Sequence, residues 1–339
     1  MKDLGMQTRT RWLEHAEDRR SIFFCVLFLL SAAVGYALDF QVPTPVWILH
    51  IAVSCTLCFI VGTIAHNSMH HPIFLKPEHN QLFQIFLSIC YGHPVSVYVS
   101  GHNFSHHRNT QTRRDVIRTY KARFRWHLLN QLFFFFLVIP SLIRAENQFK
   151  ARMKDEIPGW YKQFCREQYT GYLVQALLLI LNWKAFFAFI WLPQLYCVWG
   201  IIGMNVIQHD GCDPDHEYNH TRSMTGPWVN WLTFNNGYHG AHHAKPHMHW
   251  TGYPAYHNAE VRPHLHPALD QKNFITYLLK TYIYPGKRLR YDGAPIELPP
   301  VGEDEDWIPP PGEVALAGTS LGSFPTVDLA IHRPAEAVV

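Results

Sequence analysis

Three groups of histidines stand out in this 339-residue chain: His66, His70 and His71; His102, His106 and His107; and His239, His242 and His243. Neutral imidazole is the commonest biological metal ligand and suits zinc, copper, iron and nickel. One site takes about four protein ligands, so eight or nine clustered imidazoles predict two metals. His66 and His70 are four apart and share one helix face, so both can reach one metal. His102 and His106 repeat that spacing, and His107 is turned by about 100°. His70 is favoured over His71 as a ligand because His71 precedes Pro72 and can close the helix; His71 stands as a second candidate. Asn205 and His209 also share a helix face, as an interfacial cap or as an extra metal contact, and the neighbouring clusters favour the contact. Asp210 is placed to orient an imidazole through its carboxylate. No cysteine sits near the clusters, and one Glu-x-x-His pair, Glu217 to His220, falls short of the repeat used by soluble di-iron carboxylate bundles. All-nitrogen ligation leaves iron, copper or zinc.

A rival motif overlaps that pair. His216-Glu217-Tyr218-Asn219-His220 matches His-Glu-x-x-His, in which two histidines bind zinc and the glutamate acts as general base. That mechanism needs a helix. The preceding run, Asp210-Gly211-Cys212-Asp213-Pro214-Asp215, forms turns, and Asn219 and Thr221 are poor helix formers. Among 23 histidines one chance match is unsurprising. A membrane zinc hydrolase is therefore the weaker alternative, as is a non-catalytic protein whose histidines store metal.

The histidines need elements to hold them. Residues 21–40 and 46–65 are apolar and long enough to cross a bilayer, with a Pro-containing turn between. Residues 168–182 and 185–207 read as a second hairpin, turning at Asn182-Trp183-Lys184. Residues 81–100 are apolar but carry Gln84, His93 and Pro94; a crossing there would part the first two His groups, so a re-entrant or interfacial hairpin is expected. Residues 131–143 are too short to span and read as interfacial. The fold class is all-α: an integral membrane four-helix bundle of two hairpins, with interfacial helices and a cytosolic His-rich cap. Seven basic residues between Arg108 and Arg125 place the His groups and both termini in the cytoplasm, with docking of an acidic electron donor as a secondary role for that run. Residues 1–284 form the membrane domain, and 285–339, rich in Pro, Gly and acidic residues, read as a disordered tail.

The net charge of +3 is too small to argue for nucleic acid. The seven cysteines sit mostly in apolar runs, where a thiol behaves as a small hydrophobe, and form no disulfide spacing. Cys55 and Cys58 make a Cys-x-x-Cys inside an expected span, outside any redox context.

The boxes His66-Asn-Ser-Met-His70, His102-Asn-Phe-Ser-His106-His107 and His239-Gly-Ala-His242-His243, with Arg222-Ser223 and the run from Gly237 to Pro246, resemble the membrane fatty acid desaturase superfamily. The resemblance runs from about Ser21 to Tyr284. It implies two irons held by His66, His70, His102, His106, His107, His239, His242 and His243. Asn205 and His209 match the extra Asn-x-x-x-His of the stearoyl-type members, with Asn205 acting through water. The second box has three residues between its first two histidines where many members have two, and Asn67 replaces the Asp common in the first box. The resemblance also implies dioxygen as co-substrate and oxidation of a fatty acid or acyl lipid. Desaturation leads, with hydroxylation and terminal-alkene-forming decarboxylation as alternatives. No His-Pro-Gly-Gly haem motif is present, so a separate electron donor of ferredoxin, rubredoxin or haem-protein type is implied.

Overall fold

The computed structural model describes residues 11–308. Helix α1 (Arg19–Leu38) ends at Asp39 and Phe40, both at positive φ, and α2 (Thr44–His70) starts at Pro45 in its first turn. One stripe of α1, with Phe24, Phe28, Ala32 and Gly35, is buried in the bundle, while Phe23, Val26, Leu30 and Val34 on other sides are exposed. Apolar surface left outward on a helix this long is the pattern expected of lipid contact.

At 1.5 Å per residue, the 27 residues of α2 span about 40 Å, more than the ~30 Å hydrocarbon core. Its last turns, carrying His66 and His70, therefore outrun an apolar slab. Helix α6 (Trp183–His209) has the same 27-residue length and ends on His209. At the opposite end, the Asn182 amide donates to Asp39 at 2.6 Å and closes the two hairpin turns on each other.

Between these, α3 (Pro77–Tyr91) ends at Gly92, whose φ of 85° is natural only for glycine. The chain then bends by 97° into a segment running from Val95 to His107, the re-entrant or interfacial hairpin shape expected for residues 81–100. Glu167 fixes the bend from below: it accepts from the Ser96 amide at 3.0 Å, the Ser96 hydroxyl at 2.7 Å and the Ser88 hydroxyl at 3.3 Å.

Two helices differ from the sequence expectation. The interfacial piece at 131–143 is part of α4 (His127–Glu156), which continues through Pro140. The span expected at 168–182 is the second half of α5 (Pro158–Leu181), whose first half carries Lys162, Gln163, Arg166 and Glu167. Length and apolarity alone select α1, α2, α4 and α6 as able to cross a membrane, and not α5. Packing separates the two. Both ends of α4 lie on the histidine side: His127 stands 3.6 Å from Asp210, just past His209, and Phe149 contacts Phe104 of the second His segment. Helix α5 instead runs to the far turn, where Tyr36 donates to the Leu178 carbonyl.

The disorder expected from residue 285 does not begin there. Arg288 binds the Asp210 carboxylate at 2.8 Å, and Trp307 is buried in a stack on Phe149. Residues between these strap the basic run: Arg118 and Lys121 both pair with Asp304, and Arg114 approaches Glu305 at 3.9 Å. The acidic composition that reads as a solvated tail is thus neutralised within the chain. The remainder of the expected tail, 309–339, lies outside the described residues.

Candidate metal centre

Nine histidines converge above the apolar helices in two groups. His66, His70, His102, His107 and His242 form the first, and His106, His209, His239 and His243 the second; within each, the ligand atoms lie within 4.8 Å of one another. All nine of the histidines carried over from the boxes and the fourth span are therefore brought together.

The grouping follows from local helix geometry. His66 and His70, four apart on α2, face the same group. The second box, expected as an α-helical turn with His102 and His106 on one metal, is a π-helix (Val99–His107). Its wider i→i+5 turn aligns His102 with His107 instead, at 3.0 Å between Nε2 atoms, and sends His106 to the second group. In the short helix His239–Ala244, His239 and His243 share the second group while His242 turns to the first.

Partners on the outer nitrogens set the tautomers. His106 Nδ1 donates to Asp115 at 2.9 Å, and His209 Nδ1 donates to the His220 carbonyl at 3.2 Å. Both Nε2 atoms then carry lone pairs, yet they face each other at 3.2 Å. Two lone pairs at that distance repel unless they share a cation. His70 leaves both ring nitrogens, and His243 its Nε2, buried without a hydrogen-bond partner. A buried polar atom left unpaired is costly, and metal ligation resolves it. Burial and the neighbouring imidazoles hold His239, His242 and His243 well below the usual histidine range, which keeps them neutral and able to ligate at neutral pH. The residues present fit a pair of transition-metal ions with nitrogen ligands.

Several expectations shift. His71 is not in either group; it turns to the opposite side of the α2 end, beside His15 and His249. Asn205 donates its amide to the Ile117 carbonyl and lines the cavity below the second group. Asp210 does not orient a cluster imidazole but pairs with Arg288; burial pushes its carboxyl up, and the Arg288 bond and charge outweigh that and hold it below the usual range. The orienting carboxylate is Asp115, which the sequence reading missed. It sits nine residues past His106 in the Arg-rich run and also accepts from the Gln111 and Ile117 amides. Asn67, in place of the common Asp, accepts from His66 Nδ1 at 3.1 Å and from the Asn236 amide. Tyr253 bonds His242 Nδ1 at 3.0 Å.

The zinc-hydrolase geometry does not form. His216-Glu217-x-x-His220 lies in turns, His216 and Glu217 are exposed, and His216 Nδ1 accepts from the amides of Tyr218 and Asn219. Cys55 and Cys58 are both free.

Below the histidines lies a cavity of about 420 Å³. Phe135, Ile139, Leu142, Leu195, Val198 and Ile202 wall it, Trp191 and Gln194 mark one end, and His66, His102, His106 and His239 reach it at the other. Its size is that of a ligand pocket.

A model of the fatty acid desaturase family matches residues 11–272. The sphingolipid delta(4)-desaturase of Candida albicans is 24% identical over 283 residues, which cover 74% of this chain and 69% of that protein. A protein of Arabidopsis thaliana described as sphingolipid delta(4)-desaturase DES1-like is 28% identical over 201 residues, 53% of each chain, so the match spans about half of it. With its long apolar helices and converging histidines, the chain belongs to the fatty acid desaturase family and is an oxygen-dependent oxidoreductase of lipids.

Proposed function

We propose that this protein introduces a carbon–carbon double bond into a lipid acyl chain, using two iron ions, one in each histidine group, and dioxygen. The observation that carries the reading is the set of nine imidazoles in two groups at one end of an apolar cavity. When bound, the irons would supply the oxidising power to break an unactivated C–H bond. In the overall reaction two hydrogens leave adjacent carbons, a separate donor supplies two electrons with two protons from solvent, and dioxygen ends as two waters.

The chain's own part is binding, orientation and exclusion. The walls from α4 and α6 hold the acyl chain extended and keep water from it. Asp115, Asn67, Tyr253 and the His220 carbonyl hold the imidazoles in their orientations. The names of the relatives make a sphingolipid the first substrate to supply beside a free fatty acid.

In the membrane, α1, α2, α5 and α6 are the crossings we propose, with α4 lying along the histidine side. The basic run from Arg108 to Arg125 supports a cytoplasmic position for the histidines.

Metal analysis of the purified full chain tests the reading. Two irons per chain are expected after growth with iron. Zinc filling both groups, with no iron bound, would overturn it.

A further inference from the structure

A third cluster lies on the reverse side of the α2 end. The segment before α1 runs antiparallel to the residues after α2: Leu13 bridges Phe74, and the Glu14 amide donates to the Ile73 carbonyl at 3.0 Å. This places Glu14 and His15 beside His71, with ligand atoms within 4.8 Å of one another. His15 is only 4% exposed, and its Nδ1 has no hydrogen-bond partner.

The surroundings are equally specific. His249 stacks on His15 at 3.8 Å between ring centroids. Its own nitrogens are engaged, Nε2 with Asp18 at 3.2 Å and Nδ1 with Thr251 at 2.7 Å, so it buttresses the cluster and does not ligate. Asp18, itself buried, is held by Ser21 and the Trp250 indole. Glu14 thus brings one carboxylate to the two imidazoles of His15 and His71, while both oxygens of Asp18 are spent on Ser21, Trp250 and His249.

We propose that Glu14, His15 and His71 form a third metal site, separate from the two histidine groups, that takes one zinc-type divalent cation and pins the segment before α1 to the end of α2. Two imidazoles and a carboxylate are a donor set that zinc favours, with an outer position left for water. A shell of about 2.1 Å radius draws the three side chains together by roughly an ångström. His71 follows His70 directly, so the site braces the end of α2 that serves the first histidine group. It also gives His71 a role that the first box alone does not.

The full chain is expressed with iron and zinc, purified in detergent, and zinc and iron are counted separately. Wild type is expected to hold one zinc per chain. Glu14→Gln with His71→Gln is expected to lose that zinc while keeping its iron and its gel-filtration profile. Zinc X-ray absorption on the wild type needs no variant and is expected to show two imidazoles with a carboxylate oxygen. Absence of zinc after Zn2+ is added, an equal zinc count in wild type and double variant, or no carboxylate oxygen in the zinc shell that the variant loses would each overturn the proposal. The reading is the difference of one zinc between wild type and variant, so zinc in the two larger groups, which would show as missing iron, contributes equally to both counts.

Discussion

His102 and His107, five residues apart, bring their Nε2 atoms to 3.0 Å, while His106 turns away to meet His209 at 3.2 Å. One wide helical turn thus sends the adjacent residues His106 and His107 to different histidine groups. His107→Ala and His106→Ala should therefore damage different positions. Each variant is expected to lose about one iron per chain and all measurable product formation. If both variants deplete the same spectroscopic iron species, the division into two groups is wrong.

Asp115 accepts from His106 Nδ1, so in the proposed reaction it is a positioning residue that acts only through His106. Asp115→Asn keeps the side-chain volume but places an amide group where an imidazole N–H must be accepted. A lost orienting partner typically costs 10- to 100-fold in metal affinity or activity. We expect a drop of that order in iron affinity and turnover with an unchanged helical circular dichroism spectrum. Wild-type iron affinity in the variant would remove Asp115 from the site.

Glu167 holds the bend that launches the second box. Glu167→Ala leaves the amide and hydroxyl of Ser96 unpaired in a buried place, at about 1–3 kcal/mol for each unsatisfied group. The expected outcome is a lower melting temperature and weakened metal retention. A variant as stable as wild type would show that the bend holds without the carboxylate.

Arg288 is all but buried against Asp210. Arg288→Met leaves that carboxylate without its main counter-charge, and breaking a buried pair from one side typically costs about 3–5 kcal/mol. Thermal unfolding should shift down sharply, and double substitution with Asp210→Asn should recover part of the loss. Additive losses would mean that the pair is not coupled.

The cavity runs along α6 from the histidines toward Trp191. Val198→Trp should block its far part, so longer acyl chains lose turnover while shorter ones retain it. Competition assays with mixed chain lengths read this directly; an equal loss for all lengths would place the chain elsewhere.

Much of the site was legible because histidine spacing carries chemistry that few other patterns imitate. His66, His70, His239, His242 and His243 fall where an ordinary helix puts them. The partition of the second box was not legible, since nothing in Val99–His107 announces a π-helix over an α-helix. Asp115 was hidden because its use depends on a loop turning back onto His106. His71 looked like a spare ligand because its partners, Glu14 and His15, lie 57 and 56 residues earlier. The order of residues 285–308 was not legible because Asp304 pairs with Arg118 and Lys121, a pairing across the chain that composition does not reveal.

The most direct test is the product. Wild type and His242→Ala are expressed in a bacterial host, supplied with defined fatty acids and sphingolipids under air or argon, and lipids and headspace are analysed by mass spectrometry. The account predicts a product two hydrogens lighter at full carbon count, formed by wild type in air and absent both under argon and in His242→Ala. A hydroxylated lipid, an alkene one carbon shorter, or a double bond formed equally by His242→Ala would contradict it.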